Sequence, residues 1–210
     1  MGLSFAHPAG VDILHRLAKD CDVLVENYLP GALKKYAMDY STISSINPGI
    51  IYASITGYGQ TGPYSNRAGY DVMVEAEFGL MHITGHRDGP PAKVGVAITD
   101  LTTGLYTSNS VMAALIGRGK SGRGQHVDVA LSDCQTASLA NIASSTLISG
   151  KKDTGRWGTA HREYLPCFHS NLHADHQKHP LYHTKASKRQ TEISYLVAAT
   201  IVSSECYANA

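Results

Sequence analysis

The sequence predicts an α/β fold built around a parallel sheet. Two apolar runs, Asp22–Glu26 and Ile50–Ile55, are short and rich in β-branched residues, as buried strands are. Between them lies a stretch of helical periodicity from about residue 32 to 46. Strand, crossover helix and strand at that spacing make a parallel βαβ unit, because parallel neighbours cannot be joined by a tight hairpin. A third strand run, Gln125–Ala130, follows a longer helical stretch.

Each element has its own signal. Val11, Leu14, Leu17 and Ala18 fall on one face of a first helix. Pro30-Gly31 breaks the chain after the first strand. The helical stretch that follows is interrupted near Tyr40-Ser41 and ends at Asn47-Pro-Gly49. Further helices are expected from about Tyr70 to His82 and from Leu101 to about Ile116. In the latter, Leu101, Leu105, Met112 and Leu115 recur at helical spacing. Gly117 to Gly124 reads as a basic turn, and Ser132 to about Ile148 as a helix rich in small residues.

With 210 residues, 43% of them hydrophobic, the chain can bury the core of one domain and carry an appendage. A formal net charge of +1 gives no case for nucleic acid or an anionic membrane as partner. The four cysteines (Cys21, Cys134, Cys167, Cys206) form no C-x-x-C pair and read as reduced thiols of a non-secreted protein. No apolar run approaches the roughly 20 residues of a membrane span. The N-terminus lacks a basic n-region and an Arg-rich presequence, and Ala6 stands where myristoylation wants Ser or Thr.

The texture changes after His161. Gly158 is the last of 20 glycines, and six of the 11 histidines fall between His161 and His183. Residues 162–210 are therefore expected to be a poorly ordered tail foreign to what precedes them, which lacks the usual turn chemistry.

Three strings have the shape of ligand motifs. Gly57-Tyr-Gly-Gln-Thr-Gly62 satisfies G-x-G-x-x-G after a strand, but Pro63-Tyr-Ser-Asn66 follows where a dinucleotide site needs a helix. Its glycines could still let backbone pass close to an anionic ligand. Gly117-Arg-Gly-Lys-Ser-Gly122 contains Gly-Lys-Ser, yet Ala114 stands where a P-loop has glycine, and the string runs from helix to strand. His173, His176, His179 and His183 could collect a metal on a continuous helix, but Pro180 breaks that helix, so no metal site is expected.

Asp100 closes a Gly/Pro-rich approach, Asp88-Gly-Pro-Pro91 and then Val94-Gly-Val-Ala-Ile-Thr-Asp100, and opens the apolar run at Leu101. From the residues alone it is either an N-cap or a nucleophile. A helix mouth favours the carboxylate form, so the acid is expected to stay charged and available at neutral pH. The small residues Gly95, Ala97, Thr99 and Gly104 would leave room for a substrate.

Six motifs then occur in order: Asp22-Val-Leu-Val-Glu-Asn-Tyr-Leu-Pro-Gly31, Ile51-Tyr-Ala-Ser-Ile-Thr-Gly-Tyr-Gly59, Arg67-Ala-Gly-Tyr-Asp71, Asp88-Gly-Pro-Pro91, Asp100-Leu-Thr-Thr-Gly104 and Ser121-Gly-Arg-Gly-Gln125. Together they resemble the class III CoA-transferase family, which includes formyl-CoA and carnitine-CoA transferases and α-methylacyl-CoA racemases. Residues 79–85 and Arg156–His161 look most like its succinyl-CoA:glutarate branch. The resemblance covers about residues 10–161. It implies a Rossmann-like doubly wound sheet, incomplete here, with residues 1–161 forming part of the family's large domain.

The resemblance also implies the chemistry. Asp100 matches the catalytic aspartate, which would pass CoA from an acyl-CoA to a small carboxylic acid through a mixed anhydride and an aspartyl-CoA thioester. The backbone and small side chains beside it would stabilise the oxyanions. Asn27 and Tyr28 match a strand-end pair that contacts CoA. Lys35 falls where a basic residue meets the CoA phosphates, Arg67 is a second candidate for that role, and Leu131 falls among the CoA-contacting positions. Read without the family, Asn27 equally fits the end of a strand, Tyr28 core packing and Lys35 a solvated helix face. Tyr70 aligns with a pocket tyrosine of the transferases and with the catalytic histidine of the racemases. A tyrosine of ordinary pKa, about 10, suits proton transfer at an α-carbon poorly, which favours transfer over racemisation. No bound cofactor, metal, nucleic acid or membrane is implied; CoA is substrate. Interlocked homodimers and a mitochondrial location (with a cytoplasmic alternative) are further implications. The chain begins late in the family's pattern and leaves it after His161, so a truncated member without catalysis is the competing expectation.

Overall fold

A computed structural model describes residues 2–151 and 155–159. They fall into two compact units. The larger comprises residues 2–74 and 96–135; the described part of the smaller comprises 75–95, 136–151 and 155–159. Seven α-helices are α1 (Pro8–Asp20), α2 (Tyr40–Ile46), α3 (Asp71–Glu77), α4 (Leu80–Ile83), α5 (Ile98–Ser121), α6 (Leu131–Ser138) and α7 (Ala140–Ser149). The strands are β1 (Val23–Glu26), β2 (Ile51–Thr56) and β3 (Gln125–Ala130).

The three strands form one parallel sheet in the order β1-β2-β3. Ala53 of β2 stands opposite Val25 on one side and Val127 on the other. β2 is buried on both faces: Ile51, Tyr52, Ala53 and Ser54 are each at most 2% exposed. That is the signature of a central parallel strand with cover above and below. Tyr52 joins a core of Ala18, Leu33, Met38, Ile43 and Ile50 between α1, α2 and the sheet. Its hydroxyl donates to the Met38 carbonyl at 2.7 Å, and burial pushes the phenol pKa up.

Several element boundaries differ from expectation for identifiable reasons. The stretch from 32 to 46 divides into a 3-10 turn at Lys34–Tyr36 and α2, because Ala37 adopts a left-handed conformation and Asp39 starts α2 afresh. The Asp39 carboxylate accepts from the hydroxyls of Ser41 and Thr42, so its pKa lies below the usual value. The helix expected from Tyr70 is cut at Gly79, which has φ 89°. The last expected helix is cut at Ala140, with φ 33°. The supposed basic turn at 117–121 is the final turn of α5, which ends only at left-handed Gly122. Arg118 and Lys120 there complement the carbonyl end of the helix.

α5 also reverses the expected inside and outside. Thr99, Thr103, Thr107 and Ala114 are its buried residues. Each of the last two threonines satisfies its hydroxyl on the carbonyl four residues earlier, Thr103 on Thr99 and Thr107 on Thr103. Leu101, Leu105 and Met112 lie on the exposed face with Ile116, and Leu105 is 68% exposed.

In the smaller unit, the segments around residues 79–95 and 155–159 meet. Gly158 donates to the Gly85 carbonyl at 3.0 Å, and the Arg156 guanidinium donates to that of His82. Residues 160–210, including the histidine cluster and the expected tail, lie outside the described residues.

Candidate active site

The C-terminal ends of all three strands open on one cavity of about 430 Å³. Its wall takes Asn27, Tyr28 and Leu29 after β1, Ile55, Thr56 and Gly57 at the end of β2, and Leu131 just after β3. Ala68, Gly69 and Tyr70 contribute before α3, and Asp100, Thr103 and Gly104 from the first turns of α5. The crevice beyond the carboxyl ends of parallel strands is where open α/β sheets bind ligands, and the volume falls in the range of small-molecule sites.

Five of the seven candidates from the sequence are therefore brought together: Asp100, Asn27, Tyr28, Tyr70 and Leu131. Lys35 and Arg67 are not in the wall. The Lys35 ammonium lies 4.8 Å from the centre of the Tyr36 ring. The Arg67 guanidinium lies about 5 Å from both the Tyr58 and Tyr64 rings. Asp100 is the one charged side chain in the wall. Gly104, a turn further on, leaves open space where a β-carbon would sit, so the wall beside the acid is low.

Asp100 is not the cap of its helix. α5 begins at Ile98, which places Asp100 third in the first turn. The helix mouth is capped from elsewhere. Asp71, 8% exposed at the start of α3, accepts through one oxygen from the backbone N–H of Thr99 at 2.8 Å and of Asp100 at 3.1 Å. Ile98 donates to the Val96 carbonyl, so the N–H groups of the first three helical residues are engaged, and Leu101 makes the first intrahelical bond, to Ala97.

This changes two expectations. Asp100 is exposed to solvent, yet partial desolvation by the surrounding wall, and then the neighbouring Asp71 charge, push its pKa up from the ordinary carboxylate value, against the direction expected from the helix end alone. Its carboxylate is thereby a more basic nucleophile. The N–H groups of Thr99 and Asp100 are also held by Asp71, so they are not open donors for an oxyanion. In the sequence Asp71 is only the residue after Tyr70; its partners lie 28 and 29 positions away, and no local pattern announces them.

The Gly57–Gly62 string has a structural use. A β-carbon on Gly57 would lie 2.6 Å from the Gly69 Cα, and one on Gly69 would lie 2.7 Å from the Gly57 Cα. The two glycines let backbone cross backbone, which seats Ala68 to Asp71 against the end of β2. Gly57 also accepts the Ser132 N–H at 3.1 Å, tying the start of α6 to the same point.

A parallel sheet whose strand ends open on a crevice with a single charged side chain, Asp100, in its wall is the arrangement the chain presents. The chain belongs to CoA-transferase family III, whose model matches residues 1–177. It is 51% identical over 166 residues to succinyl-CoA:glutarate CoA-transferase of Homo sapiens, covering 79% of this chain and 38% of that protein. It is 47% identical over 159 residues to succinate–glutarate CoA-transferase of Agrobacterium fabrum, covering 76% and 40%. A crystal structure of a CAIB/BAIF family protein from Brucella suis superposes with a TM-score of 0.75 at 46% identity, over 78% of this chain and 43% of that one. The chain thus spans about two fifths of the length of these relatives.

Proposed function

We propose that this chain carries the nucleophile and the CoA-facing wall of a transferase that moves CoA from an acyl-CoA, succinyl-CoA in the first instance, to a dicarboxylate such as glutarate. The observation that carries this reading is Asp100, the one charged group in the wall of the strand-end cavity. The relatives named for succinyl-CoA and glutarate supply the substrate class.

The reaction suits such a wall because it moves no proton. The Asp100 carboxylate attacks the thioester carbonyl; the new C–O bond forms as the C–S bond breaks, giving a mixed anhydride and CoA thiolate. The thiolate attacks the aspartyl carbonyl of that anhydride and releases the donor acid as its carboxylate. The acceptor carboxylate then attacks the aspartyl-CoA thioester, freeing thiolate again, and the thiolate takes the new acyl group and restores Asp100. A carboxylate nucleophile keeps the thioester's free energy in an acyl anhydride. No step needs a general base, and among the wall residues only the phenols of Tyr28 and Tyr70 accompany Asp100 as titratable groups. In this reading Asn27, Tyr28, Tyr70 and Leu131 line the path of the CoA arm. Lys35 and Arg67 lie outside the wall, and contacts to the CoA phosphates are the role left to them. The mitochondrial location and the homodimer expected from the resemblance belong to the same reading.

A second reading, a family chain without turnover, is favoured by the uncovered apolar stripe of α5, which includes Leu101 and Leu105. One assay separates the two. The chain is incubated with succinyl-CoA and glutarate, and glutaryl-CoA is followed by chromatography. Formation above the buffer rate supports transfer; its absence favours the second reading.

A further inference from the structure

We propose that Asp71 is a positioning residue for the transfer reaction: its buried carboxylate fixes the first turn of α5 and so aims the Asp100 carboxylate into the cavity. This rests on the reading of Asp100 as nucleophile. The geometry is specific. One Asp71 oxygen takes the N–H groups of both Thr99 and Asp100, at 2.8 and 3.1 Å. The backbone of the nucleophile itself is thus tethered to a second element, α3. Thr99 is further pinned by its hydroxyl, which donates to the Gln135 side-chain oxygen at 2.5 Å in α6. Two neighbouring helices, α3 and α6, therefore converge on two consecutive residues of α5, and the second is Asp100.

An amide oxygen could accept the same two bonds, so the choice of a carboxylate has a consequence of its own. It places a negative charge beside Asp100, an exposed acid whose partial desolvation already disfavours ionisation. The titratable groups facing Asp100 are Asp71 from the start of α3 and the phenols of Tyr28 and Tyr70; no lysine, arginine or histidine lines the cavity. Asp71 therefore keeps the nucleophile basic while occupying the N–H groups that would otherwise stabilise its charge.

Two variants separate position from charge. Asp71→Asn keeps an oxygen that can accept both N–H bonds but removes the charge. The Asp100 carboxyl, followed by carbon-13 NMR titration, should then ionise at lower pH, and the acid limb of the rate–pH profile should move the same way. Asp71→Ala leaves both N–H groups without acceptors. Amide exchange at Thr99 and Asp100 should accelerate, and kcat should fall roughly 100-fold, as for a misplacement of about 1 Å, while the KM for acyl-CoA changes less than about threefold. An unchanged Asp100 titration in Asp71→Asn would overturn the proposal. So would an Asp71→Ala variant with kcat within twofold of the parent. Should the parent itself show no turnover, the reading of function fails, whereas the titration and amide exchange still decide whether Asp71 governs Asp100. If Asp71→Ala does not fold, Asp71→Asn decides alone.

Discussion

Replacing Gly57 by alanine tests how the site is held together. The new β-carbon would lie 2.6 Å from the Gly69 Cα, 2.8 Å from its nitrogen and 3.5 Å from its carbonyl carbon. Ordinary carbon contacts begin near 3.5 Å, so the strands of backbone must part by roughly 1 Å. Neither partner is a flexible side-chain end. Gly57 has no positive φ, so the cost is steric rather than conformational. Overpacking of this kind costs about 1–3 kcal/mol. The same displacement, passed along Gly69 to Asp71, would stretch the 3.1 Å bond to the Asp100 N–H towards 4 Å and break it. Guanidinium unfolding of parent and variant measures the first effect, and amide exchange at Asp100 the second. Gly104→Ala is the control: it sits inside α5 with open space around its β-carbon position and should gain about 0.5–1 kcal/mol. A Gly57→Ala protein within 0.5 kcal/mol of the parent, with Asp100 exchange unchanged, would refute the reasoning.

Two further predictions concern the carboxylates. Asp39→Ala removes the acceptor of two hydroxyl bonds at the start of α2 and should cost about 1 kcal/mol. Because the folded pKa of Asp39 is lowered, its stabilisation is present above the ordinary value of 3.8 and is lost as pH falls through the folded value, so the penalty should vanish in urea titrations at low pH. Asp100 behaves oppositely. Its folded pKa is raised, so its contribution is fully present below 3.8 and is lost as pH rises through the folded value. Asp100→Asn should therefore unfold at higher urea than the parent at pH 7, the difference disappearing at acid pH, while transfer activity is abolished. A destabilised Asp100→Asn at neutral pH would show that the carboxylate is structural.

The sequence revealed much of this fold because its decisive signals are local. β2 is a continuous apolar run, and a parallel strand buried on both faces has to be one. Left-handed Gly122, by contrast, stops α5 five residues beyond the glycine that had suggested a turn. The apolar spacing in α5 located a face correctly but not its environment. Threonines whose hydroxyls bond the preceding turn can be buried as readily as leucines, and here they are. The site divides in the same way. Asn27, Tyr28, Tyr70 and Leu131 sit where strands end, and strand ends are legible. Asp71 and the Gly57–Gly69 crossing depend on residues distant in sequence, and only the folded chain brings them together.

The central claim, that Asp100 is the group through which CoA passes, is tested most directly by trapping. The chain is incubated with succinyl-CoA and quenched with hydroxylamine, which converts an aspartyl anhydride or thioester into a hydroxamate, and the peptides are mapped by mass spectrometry. A hydroxamate at Asp100 and at no other carboxylate in the same digest, absent without acyl-CoA, is the predicted result. Consumption of succinyl-CoA with Asp100 unmodified, or with the label on another carboxylate, would contradict the account.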